Sequence, residues 1–159
     1  MTQQSLNPSN NDSQDSQALS ILKQLHDQQL LIVSQRRNGL ILYKRYHAEF
    51  AGPGAVVGGL FDLDCQRVLP VGNLSLLSPK SSEERQRAYA LRMQWIKLIK
   101  NITRRPESLQ RAQKILEQFE GFNFKADTIA ELPDEAFALL VGVLPHTIRQ
   151  VRNASNLKG

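Results

Sequence analysis

A chain of 159 residues with 41% hydrophobic and 22% charged residues has the length of one average domain and the composition of a folded protein, which excludes a fibrous or wholly disordered chain. Its formal charge of +5 is concentrated in the middle third, where Lys80 to Lys125 holds eleven basic and five acidic residues against nine and ten in the remainder. The single cysteine, Cys65, excludes an intramolecular disulfide framework and leads us to expect a reducing, cytoplasmic setting.

Residues 1–16 (MTQQSLNPSNNDSQDS) carry two apolar side chains, too few to offset the entropy of ordering, so a disordered polar tail is expected there. The stretch has neither the basic start nor the apolar run of a signal peptide, and no segment reaches the roughly eighteen apolar residues of a transmembrane helix. From Gln17, Ala18, Ile21, Leu22 and Leu25 fall at helical spacing and predict a short helix to about Gln28.

Leu30 to Ser34 and Leu40 to Tyr46 are rich in branched and aromatic residues. The intervening Asn38-Gly39 suits the positive φ angles of a tight turn, which predicts an antiparallel hairpin. After the Gly52-Pro53-Gly54 break, Val56 to Leu77 reads as one or two further short strands.

Ser81-Ser82-Glu83-Glu84 has the form of a helix start, with carboxylates at the positive end of the dipole. A helix is predicted from about Ser82 to Thr103, its core stripe being Ala88, Leu91, Trp95, Leu98, Ile99 and Ile102. A second helix begins near Pro106 and ends at Gly121. A third starts near Pro133 and is apolar on all sides, with Pro145 kinking or restarting it. The expected class is α+β: a small antiparallel sheet or hairpin over about 30–77, then a three-helix C-terminal half, forming one globular domain over 17–155 with 156–159 frayed.

Chemistry is sparse. The glycines at 52, 54, 58 and 59 lack the spacing of a dinucleotide fingerprint and the Lys-Ser/Thr pair of a nucleotide loop, so they read as turns. Asp62 and Asp64 alternate along an expected strand, where Phe61 and Leu63 would face inward and both acids outward. His26, His47 and His146 are far apart and lack metal-ligand spacing. Cys65 follows Asp64, a neighbour that disfavours a thiolate. No catalytic residue, metal, cofactor or small-molecule substrate is therefore assigned, and the chain is expected not to be an enzyme.

Two surfaces remain. On the long helix, Tyr89, Met93 and Ile96, flanked by Arg85, Arg92 and Lys100, form a face beside the core stripe, with the residue types that enrich interface centres and a basic rim. Arg36, Arg37, Lys44, Arg45 and Tyr46 interleave cations with an aromatic ring, as nucleic-acid surfaces do. The leading expectation is a non-enzymatic regulatory or adaptor protein acting through a protein partner or self-association. The alternative is a nucleic-acid-binding regulator.

Overall fold

The computed structural model describes residues 10–157, and the following concerns those described residues. Helix α1 (Asn10–His26) leads into six short strands: β1 (Leu30–Val33), β2 (Asn38–Tyr43), β3 (Ala48–Ala51), β4 (Val56–Gly58), β5 (Arg67–Gly72) and β6 (Leu76–Leu77). Five helices follow: α2 (Ser82–Thr103), α3 (Ser108–Gly121), α4 (Ala126–Glu131), α5 (Asp134–Val141) and α6 (Pro145–Leu157). The class is α+β, with five C-terminal helices where three were expected. None of the described helices is long and apolar enough to cross a membrane.

α1 begins at Asn10, so residues 10–16 are helical where a polar tail was expected. Residues 1–9 and 158–159 lie outside the described residues, as do the parts of the expected tail and frayed end that fall on them. Gln28, at φ 61, ends the helical turn after His26, and the N–H of Gln29 reaches back to the Gln24 carbonyl at 3.0 Å, a left-handed cap that usually falls to glycine.

The strands form two three-stranded antiparallel sheets, ordered β4-β1-β6 and β3-β2-β5. The expected hairpin between β1 and β2 does not form, because each strand pairs with other partners. Asn38 is buried and uses its amide to hold the Ser34 and Arg36 carbonyls at 3.1 and 2.9 Å and the Ser75 N–H at 3.1 Å. Gly39 sits under the Phe50 ring, where a Cβ would stand about 2.5 Å from Cε2. The pair thus opens β2 and does not turn the chain. The hairpin is made instead at Lys44–His47, where Lys44 N–H donates to the His47 carbonyl at 2.8 Å, bringing Tyr43 opposite Ala48 and Leu40 opposite Ala51.

β2 is buried along its whole length. Its Leu40 and Leu42 enter a core with Ile21 and Leu25 of α1, while Ile41 and Tyr43 enter a second core with Phe50, Phe119, Phe137 and Ile148. A strand covered on both faces reads as a continuous apolar run, Leu40-Ile41-Leu42, in place of alternation. Trp95 of α2 packs against both cores.

α2 starts as its sequence predicts: Ser81 caps it by accepting from the Glu84 N–H at 3.0 Å. Gly142 at φ 71 ends α5, and Pro145 opens α6 and does not kink its predecessor. Ala136, Phe137, Ala138, Leu140 and Val141 are all buried.

Candidate functional site

The site is built on the Gly58–Asp64 turn, where β4 leaves its sheet beneath α2. Gly58 has φ 95, a conformation glycine tolerates and a Cβ there would drive into the Gln29 carbonyl. This geometry turns the Gly58 N–H onto Asp62 Oδ2 at 2.8 Å. Asp62 is 0% exposed, which corrects the expectation of an outward-facing carboxylate. Residues 59–64 are turns, so period-two alternation does not apply to them. Phe61 and Leu63, expected inside, are exposed, and of the two acids only Asp64 faces outward as expected.

Arg92 meets Asp62 from above. Its Nη1 lies 3.0 Å from Oδ2 and its Nη2 2.9 Å from Oδ1; Nη1 also donates to the Val56 carbonyl at 3.1 Å and Nη2 to Glu49 at 3.1 Å. Nε has no acceptor among the described residues, and the guanidinium carbon lies 4.8 Å from the centre of the Phe61 ring. Lys44 completes the cluster, its Nζ 2.9 Å from Asp62, 2.6 Å from Asp64 and 3.2 Å from the Phe61 carbonyl.

Burial disfavours the charges of Asp62, Lys44 and Arg92 and is the largest influence on each, yet their partners outweigh it. The hydrogen bonds and charge of Arg92, with the Gly58 N–H and Lys44, hold the Asp62 carboxyl below the usual range. Asp64 and Asp62 hold the Lys44 ammonium above its ordinary value. Asp62 and Glu49 do the same for Arg92.

Beside this cluster runs an open groove of about 610 Å³ between α2, the β2–β3 turn and α5. Met93 and Ile96 of α2 line it together with Tyr46, Phe61 and Leu139. Tyr89 extends the groove, its ring meeting Phe61 edge-on at 6.4 Å. Tyr46 is 80%, Met93 43% and Tyr89 37% exposed. His47 stands at the rim, its Nε2 3.1 Å from Glu49 Oε2. Glu49 is also committed to Arg92, and the nearby Thr103 hydroxyl donates to the Ile99 carbonyl at 3.0 Å.

The structure therefore sorts the sequence-derived candidates. Met93, Ile96 and Lys100 line the groove, Tyr89 joins it through Phe61, and Arg85 is exposed one turn before Tyr89. Arg92 departs from the expected rim: it is 0% exposed, held inside by Asp62 and Glu49. The other cationic set is dispersed. Arg36 and Arg37 precede β2 while Arg45 and Tyr46 follow it, roughly 20 Å apart along a six-residue strand. Lys44 is buried in the ion cluster, out of reach of a phosphate. Phe61, Asp62 and Glu49 were missed as site residues. The available signal was at Arg92, four residues after Ala88 and seven before Ile99, a core position in the helical period.

Cys65 lies buried beneath the turn, its Sγ 3.2 Å from the Arg67 carbonyl, and burial pushes its thiol up to about 11. No three His, Cys, Asp or Glu side chains among the described residues converge to hold a metal ion. Compared with protein-family models, curated proteins and solved structures, the chain matches none.

Proposed function

We propose that this chain is a non-enzymatic regulatory or adaptor protein that engages a protein partner through the groove between α2, the β2–β3 turn and α5. One observation carries the reading: Tyr46, Phe61, Tyr89 and Met93 lie exposed along one groove, and Phe61 sits there because its neighbour Asp62 is anchored beneath it by Arg92 and Lys44. A turn fixed from below by buried charges while its apolar side chains face outward presents a preorganised surface, which lowers the cost of association. Aromatic and Met side chains are the types that enrich interface centres. Against the nucleic-acid alternative weighs the dispersal of its cations at opposite ends of β2.

The test is a Tyr89→Ala, Met93→Ala variant compared with the parent chain in quantitative pull-downs and thermal melts. Both residues are partly exposed, so each change is expected to alter stability by about 1 kcal/mol, well below the cost of emptying a core position. A partner lost with only a small fall in melting temperature supports the reading. Full retention of every captured partner, or a large fall in melting temperature, counts against it.

A further inference from the structure

Resting on that reading, we infer that the groove takes an acidic, amphipathic helical segment of the partner protein. The first argument is charge. Every carboxylate at the groove is already engaged: Glu49 by Arg92 and His47, Asp62 by Arg92 and Lys44, and Asp64 by Lys44. The cations around it are not. Lys100 lines the groove, Lys97 lies one turn beyond Met93, and Arg45 adjoins Tyr46; all three are exposed, and none has an ion-pair partner among the described residues. The unpaired side-chain charge around the groove is positive, and a complementary occupant brings carboxylates to its rim.

The second argument is shape. Met93, Ile96, Lys100 and Thr103 climb α2 in steps of three, four and three residues and all line the groove, so it follows a helix for roughly 15 Å. The groove is open to solvent, so it does not enclose a helix about 10 Å across. One face of such a helix seats and the other stays in water, which requires apolar side chains at i, i+3 or i+4, and i+7, with a polar back. An added strand has less room, since β3, the edge strand beside the groove, packs against α2.

The experiment selects short random peptides by display on the intact chain, then measures their affinity by fluorescence anisotropy at low and high salt. Met93→Glu and Lys100→Glu variants are compared with the parent, and circular dichroism melts confirm that both variants fold. The expected peptides have net negative charge and apolar residues at helical spacing. Their binding disappears with Met93→Glu, falls about tenfold with Lys100→Glu, and weakens as salt rises. Neutral or basic peptides that still require Met93 overturn the acidic helix and leave the docking reading standing. Failure to enrich any peptide, or peptides indifferent to Met93→Glu, overturns both. Met93-dependent dimers in sedimentation equilibrium, or Met93-dependent binding to phosphatidylserine vesicles, also overturn the acidic helix, assigning the groove to a second copy or to a lipid surface.

Discussion

Arg92 and Asp62 are joined side-on by two hydrogen bonds of 3.0 and 2.9 Å, thirty residues apart in sequence, and neither side chain is exposed. The pair fastens the Gly58–Asp64 turn to the middle of α2, and Lys44 brings β2 into the same cluster. Buried ion pairs contribute little net stability relative to apolar packing, but removing one member leaves an uncompensated charge inside. Their consequence here is positional: they fix where Phe61 stands at the groove.

Asp62→Asn is expected to cost about 3–5 kcal/mol, because Arg92 and Lys44 would remain buried facing a neutral amide. Asp64→Asn provides the contrast. Its side chain is 70% exposed and meets Lys44 alone within the cluster, so a loss of no more than about 1 kcal/mol is expected. Urea unfolding midpoints of the two variants decide the matter, and equal costs would contradict the arrangement.

Stability should be level through neutral pH and fall at both ends. The Asp62 carboxyl titrates below its ordinary 3.8, so its contribution is present above that value and lost as pH falls through the lowered one. The Lys44 ammonium titrates above its ordinary 10.5, so its contribution is present below that value and lost as pH rises through the raised one. Burial raises the Tyr43 phenol above 10.0, which adds to the alkaline loss in the same sense. Melting temperature measured against pH checks this, and a maximum confined to the acid side would contradict it.

Sequence periodicity is informative where an element has one buried face. Of the predicted α2 stripe, Ala88, Ile99 and Ile102 are buried and Trp95 packs against the core, whereas Leu91 and Leu98 are half-buried outside it; Ser81 caps the helix. It fails where burial is two-sided or the backbone is irregular. The unbroken run in β2 signals a strand but says nothing about which neighbours pair with it, and Asn38-Gly39 has turn composition while serving as a packed strand start. β3, Ala48–Ala51, holds two alanines and one charge, too faint a pattern to mark a strand. Asp62 was misplaced because Gly58 and Gly59, both at positive φ, end the extended backbone before it. No local feature of the sequence links it to Arg92.

The Cys65 thiol should resist modification. With its value raised from 9.0 to about 11, the thiolate fraction at neutral pH is about 100-fold below that of the unfolded chain, and burial slows attack further. Iodoacetamide labelling followed by intact-mass measurement, in buffer and in denaturing urea, is expected to show at least that ratio. Comparable rates in the two conditions would place the thiol at an accessible surface.

Trp95, the only tryptophan in the chain, couples the two cores. Its ring meets Phe50 edge-on at 5.4 Å and Phe122 edge-on at 4.8 Å in the helical core, while its other side packs against the core that α1 and β1 share. Trp95→Ala would remove contacts on both sides of the β3-β2-β5 sheet and leave a cavity the surrounding aromatic rings cannot readily close. The expected cost is about 3–5 kcal/mol, a large fraction of the stability of a domain this size. Trp95→Phe keeps an aromatic edge toward Phe122 and should cost markedly less. Urea unfolding followed by far-ultraviolet circular dichroism distinguishes two cases. If Trp95 couples the cores, Trp95→Ala shifts one cooperative transition to lower urea. If the cores are independent, that variant unfolds in two steps, with the helical half melting apart from the strands, and Trp95 would then belong to one core alone.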